Sequence, residues 1–375
     1  LPIKLLSAKE TGMAFLMFHN TGYYSKEFVT EEYQTKIFED MREHGMTTTT
    51  IYVIPVVDGK FTLTKDKVTE SEKNLSFERT MRMLKKTDLV APGLPVIWVW
   101  GGAYGSEVWK GVIDEGRKKD WPELVFYVSD EPGDPERAKG VRDAMKRVRA
   151  FHEQNPDYKF RVTTGLGSSR GIQTVGHYYD LWIACMAQRI GETGVIADAK
   201  MQNKELWFYD CMMAPVDAEM DRYFFGVWAW VSGVKGCAHW TYYAQPHLSY
   251  IYPAKNEIIP TIGWEGIREG IDDYRYLATL KQLVEKAKAA GKADLTKGAE
   301  EIFEDVKKMV TMDNYGKAYI DAAYDPASNA GAEQGGAYNR KRVEPDLAID
   351  AYDNMRLKVS KEIEKITAAM SAKKR

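Results

Sequence analysis

The sequence is short of several features, and each shortage removes a class of function. It holds three cysteines in 375 residues, Cys185, Cys211 and Cys237. They are too far apart for a CxxC-type metal pair, and an odd count cannot complete a disulfide framework. Buried thiols are the expectation. No apolar run reaches the length needed to span a bilayer. Charge of either sign is not in excess: 52 Lys and Arg stand against 54 Asp and Glu, a formal net of −2. Nothing in that balance favours a nucleic-acid partner, and the basic run Lys373-Lys374-Arg375 reads as a solvated end. No GxGxxG follows the first strand, which weighs against a dinucleotide cofactor. No other cofactor is expected. His19, His239 and His247 lack a ligand spacing such as HExxH, so hydrogen bonding rather than a metal is expected of them. The chain opens on Leu1-Pro2 with no leader pattern, as expected of a processed or trimmed form. Neither compartment nor oligomeric state is legible.

What is present is apolar and aromatic. Hydrophobic residues make up 44%, with 10 Trp and 22 Tyr. Aromatic faces suit the C–H faces of sugars, but they also fill cores. Strand and helix patterns alternate from the start to about residue 285. Eight apolar or β-branched stretches read as strands: 12–18, 48–55, 95–100, 124–129, 159–164, 180–185, 205–211 and 236–243. Helical patterns lie near 31–44, 69–87, 105–118, 134–154, 216–232 and 264–284, with a hairpin-like insert at 58–66. The links after strands five and six are the least convincing as helices. Short apolar strands between crossovers suit a parallel sheet, and eight βα units suit a (β/α)8 TIM barrel over 1–285. Residues 286–375 read as a C-terminal helical extension packed on the barrel. It contains a small, polar surface loop at 325–338 and a terminal helix opened by Pro345.

Sites in such barrels form at the C-terminal ends of the strands. There the sequence places His19-Asn20, Pro55, Trp98-Val-Trp100, Ser129-Asp130-Glu131-Pro132, Thr163-Thr164, Cys185, Tyr209-Asp210 and His239-Trp240-Thr241-Tyr242-Tyr243. Asp130 and Glu131 are the strongest signal. Side chains alternate along a strand, but the chain turns at a strand end, so both carboxylates can enter one bowl. Pro132 favours leaving the strand there. Neighbouring carboxylates push their pKa values apart, leaving one as an acid and one as an anion. Glycoside cleavage needs that division. The bland alternative is a solvated turn into the next helix. For Trp98 with Trp100, and Trp240 with Tyr242, alternation puts both members of each pair on one face, either inward to a sugar or outward to the helices.

Three stretches carry a family resemblance. They are Phe126-Tyr-Val-Ser-Asp-Glu-Pro132, the run 226–240 (GVWAWVSGVKGCAHW) and Trp264-Glu-Gly-Ile-Arg-Glu-Gly-Ile-Asp-Asp-Tyr-Arg-Tyr-Leu277. The chain resembles glycoside hydrolase family 123 and related barrels over roughly 12–370. That resemblance implies a β-N-acetylgalactosaminidase or related hexosaminidase, secreted or periplasmic, acting on a carbohydrate substrate. The substrate's 2-acetamido group would attack the anomeric carbon, Asp130 would polarise it, and Glu131 would be the acid/base. Members commonly carry a β-sandwich before the barrel. The third stretch also reads simply as an amphipathic helix, and Asp353 and Arg356 match with no catalytic role. His19, Asn20, Trp98, Trp100, Tyr209, Asp210, His239, Trp240 and Tyr242 are the candidate substrate contacts. Two other readings stand beside this one. In the first, an ordinary retaining glycosidase uses Glu131 as acid/base and Asp210 as nucleophile. In the second, the barrel binds carbohydrate without catalysis.

Overall fold

The computed structural model describes residues 3–185, 192–211, 215–244, 248–255, 257–310, 347 and 350–371. Eight strands pair in parallel and close on themselves. They are β1 (Ala14–Met17), β2 (Thr48–Ile51), β3 (Val96–Trp98), β4 (Leu124–Asp130), β5 (Val162–Leu166), β6 (Leu181–Cys185), β7 (Glu205–Asp210) and β8 (Gly236–His239). Each strand pairs with its sequence neighbours, and β8 pairs with β1, with Ala14 opposite Gly236 and Met17 opposite His239. The chain is a (β/α)8 barrel with further helices at its C-terminal end.

The crossovers are α1 (Glu31–Glu43), α2 (Phe77–Thr87), α3 (Ser106–Lys119), α4 (Pro135–Gln154), α5 (Ser169–Val175), α6 (Glu192–Met201), α7 (Ala218–Tyr223) and α8 (Ala229–Ser232). A π-helical turn, Phe224–Trp228, joins the last two. Helix α9 (Ile262–Ala289) closes the ring, and α10 (Lys297–Lys308) and α11 (Ala351–Ser371) follow. Polar caps set several starts. Thr30 accepts from Tyr33 N, Ser76 from Arg79 N, Asp134 from Arg137 N and Thr261 from Trp264 N. Pro135 takes the first turn of α4, where its missing donor costs nothing. The links after β5 and β6 are helices, though short ones. The pattern at 69–76 is not helical: Lys67–Val68 and Lys73–Asn74 pair instead, and α2 waits for the Ser76 cap. Strand β5 runs to Leu166, so Thr163 and Thr164 lie within it, fully buried.

Two apolar layers result. Ala14, Leu16, Ile97, Val125, Tyr127, Ile183, Trp207 and Tyr209 fill the barrel interior. Phe15, Trp98, Phe126, Trp182 and Phe208 face the helices. Strand alternation makes this division, since successive side chains leave on opposite faces. Helix α9 lies unusually close to α7. A Cβ at Gly263, Gly266 or Gly270 would sit 2.5, 2.4 or 2.5 Å from the carbonyl oxygens of Pro215, Ala218 and Arg222. Within this contact Asp273 is fully buried. Arg222 donates to it at 2.6 Å from α7, and Arg356 of α11 donates from the other side. Arg356 also bonds the Glu269 carboxylate and carbonyl, each at 2.8 Å. The 264–277 stretch is therefore architecture, and Arg356 ties the terminal helix to it. Among the described residues no helix is long and apolar enough to cross a membrane.

Candidate active site

A depression of about 340 Å³ opens at the C-terminal end of the barrel. Phe18, Tyr52, Val99, Trp100, Tyr127, Asp130, Glu131, Tyr209, Cys211, Trp240 and Leu248 line it. Its size falls at the lower end of small-molecule sites. A larger hollow, about 630 Å³, lies at the opposite mouth around Gly12, Leu206 and Lys235.

Two backbone devices bring Asp130 and Glu131 together. The pairing of β4 with β5 shifts between Tyr127 and Asp130, an irregularity that breaks the alternation of the strand. Without it, Tyr127 and Asp130 would leave on opposite faces. With it, the Tyr127 hydroxyl donates to Asp130 Oδ1 at 2.5 Å. The next residue, Glu131, has φ +41, a conformation uncommon outside glycine, and its N–H bonds the Gly165 carbonyl at 3.1 Å. That turn aims Glu131 into the same depression, where the Tyr209 hydroxyl donates to Oε1. Gly165 leaves space for the cluster. A Cβ there would lie 2.6 Å from the Tyr127 hydroxyl and 3.5 Å from Asp130 Oδ1 and from the Tyr209 hydroxyl.

The phenols are held in their protonated form. Burial pushes Tyr127 well above its ordinary value, and the Asp130 charge adds to this. Burial does the same for Tyr52, again with Asp130 contributing. For Tyr209 burial is the largest cause, followed by Cys185 and Glu131. A buried phenolate beside a carboxylate would set two anions against each other in a poorly solvated place. So Tyr127 and Tyr209 act as fixed donors that orient the two carboxylates.

The other candidate contacts divide. Trp100 is 46% exposed at the rim, with φ +64, and stands edge-on to Tyr127 at 6.1 Å. Trp240 lines the depression, with Tyr23 edge-on at 6.2 Å. Tyr209 is on the floor. Asn20 instead caps a short turn, accepting from Gly22 N at 2.8 Å. Four candidates belong to other layers. Trp98 is fully buried against Phe77, Tyr104 and Phe126, with its indole donating to the Val53 carbonyl. Tyr242 is fully buried, stands edge-on to Trp264, and donates to Asp40 at 2.7 Å. His19 is buried against Gln34 at 2.7 Å, beside Tyr24 and Phe38. His239 is buried edge-on to Tyr250 at 4.6 Å. The paired parity of Trp98 with Trp100 and of Trp240 with Tyr242 fails because β3 and β8 end at Trp98 and His239, before the second alternation is complete.

Asp210 is 2% exposed and does not line the depression. It alternates with Tyr209, which faces the interior, so its place is on the outer side of β7. Asp210 is therefore not among the carboxylates that line the depression. His247 lies outside the described residues. Among the described residues no group of three or more His, Cys, Asp or Glu is placed to hold a metal ion. Sequence reasoning missed Tyr52 and Tyr127. Tyr127 shares its parity with Val125, and the inward face of β4 would have exposed it.

No protein-family model matches the chain, and no curated protein matches it in sequence. Several solved structures are similar to it at low identity. A GH39 β-xylosidase from Caulobacter crescentus is 13% identical, with a TM-score of 0.42 over 68% of this chain and 70% of that one. A GH113 β-1,4-mannanase is 15% identical, with a TM-score of 0.44 over 70% of this chain and 98% of that one. The structure of ScGas2 is 11% identical, with a TM-score of 0.44 over 69% of this chain, which spans 63% of that protein's length.

Proposed function

We propose that the protein is a retaining glycoside hydrolase in which Glu131 is the acid/base and Asp130 orients the attacking group. One observation carries this reading. Asp130 and Glu131 enter a single aromatic-walled depression, each accepting a hydrogen bond from a protonated phenol. Glycoside cleavage requires a proton delivered to the leaving oxygen and negative charge beside an oxocarbenium-like centre. Asp130 and Glu131, side by side in one depression, are placed to take one of those tasks each. Trp100 and Trp240 both line the opening and offer apolar faces to a sugar ring.

Substrate-assisted cleavage of a β-linked 2-acetamido sugar is the favoured mechanism. Among the described lining residues Asp130 and Glu131 are the only carboxylates. The separate nucleophile of the ordinary scheme would be Asp210, which faces away. If the substrate's acetamido oxygen attacks the anomeric carbon, Asp130 holds and polarises that group while Glu131 protonates the leaving oxygen. Glu131 then draws a proton from the water that completes hydrolysis. The resemblance to family 123 points to an N-acetylgalactosaminide.

The test is a panel of aryl glycosides with and without the 2-acetamido group, run on wild type, Asp130→Asn and Glu131→Gln. Turnover of the acetamido sugar, falling on the order of 10²-fold or more in each variant, is expected. Equal hydrolysis of the 2-hydroxy sugar would refute substrate assistance. Undiminished rates in both variants would remove the catalytic assignment. Sugar binding without turnover would leave a carbohydrate-binding barrel.

A further inference from the structure

Cys185 ends β6 and Cys211 lies one residue beyond the end of β7, the adjacent strand. Their sulfurs are 3.9 Å apart. The two thiols differ in access. Cys185 is fully buried in the barrel interior, whereas Cys211 is partly exposed and lines the depression. Tyr209 is the register partner of Cys185 and stands two residues before Cys211. It is also the donor to Glu131. Cys237 belongs to the other apolar layer, between barrel and helices.

We propose that Cys185 and Cys211 form an oxidisable dithiol in the wall of the cleft. A small-molecule disulfide closes it into an intramolecular bridge that switches the site off. Cys211 is the entry point because it faces the cleft. Its sulfur attacks one sulfur of the reagent, giving a mixed disulfide; the other half of the reagent leaves as a thiol with the Cys211 proton. Cys185, behind it, attacks the Cys211 sulfur and expels the second thiol, which takes the Cys185 proton. One S–S bond is broken in the reagent and one is formed in the protein, so two electrons pass to the reagent. The Cys211 thiol begins largely protonated, since the hydrogen bond to Cys185 and then burial push it up. Closure is therefore slow near neutral pH.

A disulfide needs about 2.05 Å between sulfurs, so closure draws them together by roughly 2 Å. Cys185 is held in the ladder, whereas Cys211 lies past its end, so Cys211 moves. That movement pulls on the end of β7, two residues from the hydroxyl that orients Glu131.

The experiment treats the full chain with oxidised glutathione and follows intact mass, free thiols and hydrolysis of an aryl 2-acetamido glycoside. The expected product has lost two hydrogens, keeps a single free thiol, Cys237, which titrates only after denaturation, and yields a Cys185–Cys211 cross-linked peptide. Hydrolysis falls about 10²-fold, the scale of an ångström-level misplacement at a reacting centre, and a reducing agent restores it. Cys185→Ala stops at the glutathione adduct on Cys211. Cys237→Ala bridges as the parent does. A stable adduct in wild type, or a bridge involving Cys237, overturns the site. A bridge without loss of activity overturns the coupling to Glu131. The mass measurement does not depend on the glycosidase reading, so failure of that reading and failure of the dithiol are told apart.

Discussion

Tyr209, at the end of β7, donates its phenolic hydrogen to Glu131, at the end of β4, across the mouth of the barrel. The bond links two strands that are not neighbours and holds the Glu131 carboxylate in a single orientation. Tyr209→Phe removes the donor and keeps the ring. Its expected effect is a fall in kcat of about 10²-fold with KM little changed, because orientation rather than binding is lost. A variant with full kcat would show that the phenol is only packing.

Gly165→Ala places a methyl 2.6 Å from the Tyr127 hydroxyl, and that ring must move. Asp130 loses its fixed donor while the barrel pairing persists. Activity is expected to drop about 10²-fold with thermal stability lowered by only a few degrees. Calorimetry beside kinetics checks the split.

The two tryptophans flanking Val99 should respond oppositely. Trp98→Ala empties a fully buried site and is expected to cost about 3–5 kcal/mol of stability. Trp100→Ala touches a half-exposed rim and should change stability by about 0.5 kcal/mol or less. Its effect belongs in KM. Denaturant titration and initial rates on both variants decide it, and a stable Trp98→Ala would overturn the layer assignment.

His19 is neutral in the fold because burial pushes its pKa down to about 4, only partly countered by the Gln34 bond. In the unfolded chain it titrates near 6.5. Between those values the unfolded state binds more protons, so stability is lost as pH falls from about 6.5 to about 4. The contribution is up to about 3 kcal/mol, from the shift at about 1.4 kcal/mol per unit. His19→Gln should flatten the pH dependence of unfolding across that window while leaving activity at neutral pH intact. An unchanged slope in the variant would assign the acid sensitivity elsewhere.

The barrel was legible because eight apolar stretches alternate with helical patterns, and that rhythm admits few folds. Asp130 and Glu131 were legible because a carboxylate pair followed by proline marks a strand end. Which face a strand turns inward was not legible. Trp98 and Tyr242 fit a sugar bowl as well as a helix layer by alternation alone, and only closure of the barrel chooses. The break between Tyr127 and Asp130 was also invisible, since a register shift depends on the partner strand rather than on local sequence. His19 and His239 were drawn to the site by residue type, yet their neighbours are aromatic packing.

Arg356, 83 residues downstream of Asp273, reaches it from the last helix and meets Arg222 on the same buried carboxylate. Without Arg356 the buried carboxylate would keep Arg222 alone, and removing one partner from such a buried ion network costs on the order of 3–5 kcal/mol. A chain without Ala351–Ser371 should therefore melt below one that keeps this helix. The last helix behaves as a bolt whose withdrawal loosens the wall behind the strands, so trimming the C-terminus is a lever on the whole molecule rather than on its edge.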